Sequence, residues 1–111
     1  MIQLKEPKRP FSSYRMFTCS ATYDELVYVL GEPTHQFTSG KVQVEWSLYE
    51  VGNAHAPPIS NSSPEEPVGT RKICIWDYKK YDTDPKHIVT WSAWGHESLF
   101  RDLRLSITPY M

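Results

Sequence analysis

Two segments in the second half of the chain constrain the fold most, because each predicts a β-strand with large apolar side chains on both faces. In the strand at 72–79, Ile73 and Ile75 face one side, and Cys74, Trp76 and Tyr78 face the other. In the strand at 87–94, Val89, Trp91 and Ala93 face one side, and Ile88 and Trp94 face the other. A short helix can cover only one of these faces. We therefore expect the second face to be covered by a loop, a ligand, a partner or another copy of the chain, as in a homodimer.

A third strand is predicted over 41–49, where apolar and polar residues alternate in the manner of a half-buried antiparallel strand. Ser39-Gly40 suits a two-residue turn that joins this strand to 34–38 in a hairpin. Strand-forming residues also occur at 14–19, and a weaker alternation at 103–107 predicts a final short strand. Residues 97–100 have the composition of a single helical turn.

One helix is predicted after the first strand. Thr22 is the expected N-cap, and Glu25 three residues later completes a capping box. The apolar stripe of this helix consists of Tyr23, Leu26, Val27 and Leu30. Gly31 is placed to end the helix with a positive φ, and Pro33 prevents it from resuming.

Together these elements predict an α+β fold: a meander-like antiparallel β-sheet of about five strands with one short α-helix packed on a face. The length of 111 residues predicts a single domain over 1–111. Residues 1–12 are expected to form an N-terminal arm, extended or tied along a sheet edge. Residues 51–71 carry four prolines and no periodic pattern, so they are expected to form a long loop inserted between strands. Loops of this length inside a small domain are usually functional or mobile.

Charge and composition narrow the class of protein. The net charge of −1 provides no basic excess, which argues against a general nucleic-acid coat. The N-terminal residues lack a secretory signal, and no stretch approaches the roughly 18 apolar residues of a membrane span. Cys19 and Cys74 are too few for a disulfide scaffold and are expected to be buried thiols. We therefore expect a cytoplasmic protein without membrane attachment.

Catalytic motifs are not evident. The chain contains no Gly-x-Ser-x-Gly turn and no glycine-rich phosphate loop, so an enzyme is disfavoured and no cofactor or metal is predicted. His87 lies near Asp82 and Asp84, and His96 adjoins Glu97. Pairs of histidine and carboxylate can perform acid–base chemistry, so a small hydrolase with a dispersed site remains an alternative.

Binding residues are predicted in two groups. The first combines aromatic side chains and a cation near the strand ends: Tyr49, Trp76, Tyr78, Lys79 and Trp94. These side chains belong to the core of the sheet or line a stacking surface, which in the second case suits a small anionic ligand such as a cyclic nucleotide. The second group lies in the 51–71 loop and comprises Pro57, Pro58, Glu65 and Glu66. A proline-rich segment loses little conformational entropy on binding, which suits recognition of a protein partner.

Three segments carry a resemblance to a known group. They are Ala21-Thr22-Tyr23-Asp24-Glu25-Leu26-Val27 with Gly31-Glu32-Pro33-Thr34, then Gly40-Lys41-Val42-Gln43-Val44-Glu45-Trp46, then Ile75-Trp76-Asp77-Tyr78-Lys79. This pattern resembles a group of small uncharacterised proteins of bacteriophages and some large DNA viruses. The resemblance spans roughly residues 14 to 95, and the 51–71 loop replaces a short turn of the group's pattern.

The resemblance implies a viral accessory protein that acts inside an infected cell. Such a protein is expected to bind and inhibit a host protein, with an antiviral defence component as the expected target. The first alternative is a sponge that sequesters a small anionic signal, the second is the small hydrolase, and the third is a structural or regulatory subunit without a site of its own.

Overall fold

The computed structural model describes residues 2–9, 11, 14–36, 44–52, 55–57, 69–77 and 88–110. The first half of the chain forms β1 (Leu4–Lys5), β2 (Phe17–Thr22), α1 (Tyr23–Leu30), β3 (His35–Gln36) and β4 (Val44–Glu50). The second half forms β5 (Lys72–Trp76), β6 (Ile88–Gly95), α2 (Glu97–Asp102) and β7 (Ser106–Pro109).

The α+β class with an antiparallel sheet is confirmed, but the strand and helix numbers were wrong. The described residues form seven strands rather than about five, in the order β1-β4-β5-β6-β2-β7 with β3 beside β4, and two helices rather than one. The consecutive strands β3, β4, β5 and β6 pair in turn as an antiparallel meander. After β6 the chain crosses through α2 and adds β7 to the far side of β2, so β2 lies between β6 and β7.

The two end strands explain these differences. β1 is a two-residue strand whose pairing of Leu4 with Glu50 is made by the backbone, so side-chain alternation does not reveal it. β7 begins at Ser106, because the residues before it form a turn that closes α2. In that turn Leu105 donates its N–H to the carbonyl of Phe100, and Arg104 has a φ of 61°.

The predicted start of α1 is confirmed. The Glu25 N–H donates to Thr22 Oγ1 at 3.0 Å, and the Thr22 N–H donates to Glu25 Oε1 at 3.3 Å. At the other end Gly31 has a φ of 87° and donates its N–H to the carbonyl of Val27. None of the helices in the described ranges has the length and hydrophobicity to cross a membrane.

The main core lies on one face of the sheet, where α1 and α2 contribute buried side chains. Two buried indoles form its centre: Trp46 and Trp91 meet edge to face with their ring centroids 5.6 Å apart. Both indole N–H groups are satisfied by backbone carbonyls, since Trp46 donates to Gly31 and Trp91 donates to Ala21. The bond from Trp46 attaches the C-terminal end of α1 to the sheet, the bond from Trp91 joins β6 to β2, and each buried nitrogen has a partner.

Candidate functional site

The second face of the sheet carries its own aromatic cluster. Phe11, from the N-terminal arm, packs on Trp94 with ring centroids 5.6 Å apart, and both side chains are buried with Cys74. Tyr49 and Trp76 pack against this cluster and are half-buried. The arm therefore covers this face at Trp94.

Three predicted binding residues, Tyr49, Trp76 and Trp94, thus come together around Cys74. Trp94 is fully buried, so its ring belongs to the core in this conformation rather than to the surface. Its Nε1 has no hydrogen-bond partner among the residues that the structure describes. Tyr49 and Trp76 lie at the margin of the cluster and keep part of their surface in solvent.

Pro57 is the fourth predicted binding residue with a described position, and it is exposed. The other predicted residues lie outside the described residues: Tyr78, Lys79, Pro58, Glu65 and Glu66. The same holds for His87 with Asp82 and Asp84.

Residues 55–57 and 69–71, here called the loop stem, hold the two ends of the long loop together. Ala56 donates its N–H to the carbonyl of Gly69 at 2.6 Å. His96, the N-cap residue of α2, connects the stem to β5 through its ring: the N–H of Lys72 in β5 donates to Nδ1 at 3.0 Å, and Nε2 lies 2.7 Å from the carbonyl oxygen of Pro57 in the stem. Because Nδ1 accepts a backbone N–H, the proton of the neutral ring belongs on Nε2, from which it donates to Pro57.

Arg71 anchors the other end of the stem. Its Nε and Nη2 donate to the two carboxylate oxygens of Glu50 at 2.8 and 2.7 Å. Its Nη1 donates to Asp102 at 2.6 Å and to Ser98 at 3.3 Å, which connects the stem to α2. The hydrogen bonds that Arg71 donates to Glu50 raise the pKa of Arg71, and the bond that it donates to Asp102 adds to this effect. This paired, bidentate geometry fixes the orientation of the guanidinium group.

A cleft of about 330 Å³ opens beside the stem. It is lined by His55, Ala56, Pro57, Arg71, His96, Glu97 and Ser98. His96 and Glu97, which the sequence suggests as an acid–base pair, each bind other groups. Both ring nitrogens of His96 bind backbone groups, and Glu97 forms an ion pair with Arg101 at 2.6 Å. Arg71 is flanked by two carboxylates, so an anion in this cleft would compete with Glu50 and Asp102.

A second polar cluster surrounds Glu45 on the second face. Ser47 Oγ lies 3.5 Å from both Glu45 Oε2 and Cys74 Sγ, and His35 Nδ1 lies 3.8 Å from Glu45 Oε2. Burial raises the pKa of Glu45, although the positive charge of His35 and the hydrogen bonds from Cys74 and Ser47 oppose that shift. Sequence spacing does not reveal this group, because its members come from three strands that only the register brings together.

The two thiols are free and buried, as predicted. Burial, with a smaller effect from the charge of Glu25, raises the pKa of Cys19 to about 12. A thiol in this state is a poor nucleophile at neutral pH. Within the described ranges, no group of three or more histidine, cysteine or acidic side chains is arranged to hold a metal ion.

The pH dependence of stability is expected to report on His96. Burial lowers the pKa of this ring from 6.5, and the positive charges of Lys72 and Arg71 lower it further, against the bond to Pro57. The unfolded chain therefore takes up a proton more readily, so the contribution of His96 is complete above about pH 6.5 and is lost as the pH falls through its lowered pKa. Urea denaturation at pH 7.5, 6.5 and 5.5 measures this loss.

His96→Asn is the matched variant for this measurement, because it removes the titrating ring. We expect a smaller change in unfolding free energy between pH 7.5 and 5.5 for the variant than for the parent chain. Equal changes in both proteins would show that His96 stays neutral or makes no pH-dependent contribution.

In comparisons with known proteins, the chain matches no family model, no curated protein and no solved structure.

Proposed function

We propose that this chain is a non-enzymatic accessory protein that binds a protein partner through the loop at 51–71. The observation that carries the proposal is the loop stem, in which Ala56 is bonded to Gly69 and His96 is bonded to Pro57. The chain thus leaves the described stem at Pro57 and re-enters it at Gly69, beside the point of departure. A binding segment carried on a rigid scaffold is a common arrangement in recognition proteins.

The composition of the loop supports a protein partner. Residues 58–68 include three prolines, which limit the conformational entropy lost on binding. They also include the adjacent carboxylates Glu65 and Glu66. This combination suits a partner surface that carries lysine or arginine side chains, because charge complementarity accelerates encounter and disfavours acidic partners.

The resemblance to proteins of bacteriophages and large DNA viruses supports a host protein as the partner. Inhibition of an antiviral defence component inside the infected cell is the role we propose for this contact. The described cleft favours this role over a sponge for anions, because its guanidinium group at Arg71 is already paired with Glu50 and Asp102.

Replacement of residues 58–68 by a glycine-serine segment of equal length tests the proposal. The stem residues are retained, so the variant is expected to fold with an unchanged thermal melting curve. Cross-linking of the purified chain in host-cell extract, followed by quantitative mass spectrometry, measures the yield of each complex. We expect a discrete complex with the parent chain and its loss, by about tenfold or more, with the replacement.

Glu32→Gln is the control, because it changes a carboxylate at an exposed position outside the loop. Its complex yield is expected to equal that of the parent chain. A replacement variant that folds and captures the same complex in full yield would contradict the role of the loop.

A further inference from the structure

Helix α1 presents a large aromatic side chain to solvent. Tyr28 is 91% exposed, whereas Leu26 and Leu30 on the same helix are buried in the main core. It lies off the apolar stripe that holds α1 on the sheet, so the packing of α1 does not require an aromatic residue there. Within the described part of the chain Tyr28 makes no hydrogen bond or ring contact. An exposed aromatic side chain of this kind is typical of the residues that dominate protein interfaces.

Tyr28 borders a groove between α1 and the turn that follows α2. The groove has a volume of about 330 Å³ and is lined by Asp24, Glu25, Tyr28, Val29, Arg104 and Leu105. Its apolar residues are Val29, which is half-buried, and Leu105, which is buried. The turn that forms the second wall is held by hydrogen bonds from Arg104 to Arg101 and from Leu105 to Phe100. The groove is therefore a preformed recess with an apolar base and an aromatic rim.

The charges of the two walls differ. The α1 wall carries Asp24 and Glu25, and α1 contains no lysine or arginine. Glu25 already accepts the Thr22 N–H in the capping box, but Asp24 is exposed and forms no ion pair within the described residues. The opposite wall carries Arg104. A ligand that places a cation against Asp24 and an apolar side chain against Tyr28 and Leu105 would complement the negative charge of the α1 wall and the apolar surface of the groove.

We infer that this groove docks a protein segment that presents an apolar side chain beside lysine or arginine. The inference goes beyond the proposed function, because none of the groove residues belongs to the loop stem or to the 51–71 loop. The groove is a second contact surface, with Tyr28 as its apolar anchor and Asp24 as its charged contact.

Titration of the full chain with two short peptides tests the inference. One peptide contains leucine and phenylalanine followed by two lysines, and the other has two glutamates in place of the lysines. Backbone amide shifts in NMR spectra locate the binding. We expect the lysine peptide to shift the amides of 24–29 and 104–105, and to bind at least about threefold more tightly than the glutamate peptide. Equal affinity of the two peptides, shifts confined to other residues, or no shifts with the lysine peptide would overturn the inference.

Three variants sharpen the test. Tyr28→Ala is expected to weaken the lysine peptide about tenfold, and Asp24→Asn to abolish the preference for lysine over glutamate. Tyr110→Ala is the control, because Tyr110 is also an exposed aromatic residue (52%) but lies after β7, outside the groove. Unchanged amide spectra away from the substitution show that each variant is folded. Full affinity in a folded Tyr28→Ala variant would contradict the role of Tyr28.

The glycine-serine replacement of 58–68 separates this inference from the proposed function. We expect that variant to bind the lysine peptide as the parent chain does. Loss of peptide binding in that variant would contradict a groove independent of the loop, whereas loss of the host-protein complex alone supports the loop and leaves the groove intact.

Discussion

Gly95→Ala is expected to destabilise the protein by about 3 kcal/mol or more. Gly95 has a φ of 142°, which side-chain-bearing residues rarely adopt, and a Cβ at this position would overlap the carbonyl oxygen of Lys72. It would also lie 3.0 Å from the Cα of Ile73. Both neighbours are backbone atoms of β5, so relief requires β5 and β6 to move apart. The His96 N–H donates to the same carbonyl at 2.9 Å, and that hydrogen bond would be strained as well.

Gly52→Ala provides the matched control. Gly52 also has a positive φ, 91°, but a Cβ there meets no atom within 4 Å. Only the conformational cost applies, which is about 1 kcal/mol. Urea denaturation followed by circular dichroism compares the two variants. Similar losses of unfolding free energy in both would contradict the steric argument at Gly95.

Arg71→Ala is expected to cost about 3 kcal/mol, because it removes a bidentate ion pair to a nearly buried carboxylate. The side chain of Glu50 is 9% exposed, and both of its oxygens accept hydrogen bonds from Arg71. Without the guanidinium group, Glu50 keeps the desolvation penalty of its charge but loses the bidentate ion pair with Arg71 that offsets it. The variant also loses the hydrogen bonds to Ser98 and Asp102 that connect the loop stem to α2.

Two further variants test whether the buried charge of Glu50 causes the loss of stability in Arg71→Ala. Arg101→Ala breaks an ion pair with Glu97 whose side chains are 73% and 51% exposed, so it is expected to cost less than about 0.5 kcal/mol. Adding Glu50→Gln to Arg71→Ala removes the buried charge and is expected to restore part of the lost stability. Thermal and urea denaturation compare the stability of the parent chain, the two single variants and the double variant. A double variant no more stable than Arg71→Ala would contradict the role of the buried charge.

Local features of the chain were predictable because they depend on neighbours in sequence. The capping box of Thr22 and Glu25 and the burial of Leu26 and Leu30 follow from helical spacing alone. The division of β5 and β6 into two apolar faces follows from the alternation of strand side chains. It predicted that Trp91 and Trp94 lie on opposite faces, and the structure places them in different clusters.

The candidate site was predictable only in part. The alternation of side chains identified Tyr49, Trp76 and Trp94 as aromatic candidates but did not show how deeply each is buried. The reason is that Phe11, which packs over Trp94, is far away in sequence. The sequence marked His96 as a candidate acid–base residue through its neighbour Glu97. The fold instead assigns both ring nitrogens to backbone groups of Lys72 and Pro57.

The sequence by itself determined the α+β class, the start of α1 and the two-sided strands, since residue spacing sets the faces of helices and strands. Only the tertiary structure decided the strand order, the pairing of β1, the start of β7 and the roles of Gly95 and His96. These features depend on backbone hydrogen bonds and close approaches between distant segments. Such contacts leave no periodic pattern in side-chain type, so they emerge only when β5, β6 and the loop stem are packed together.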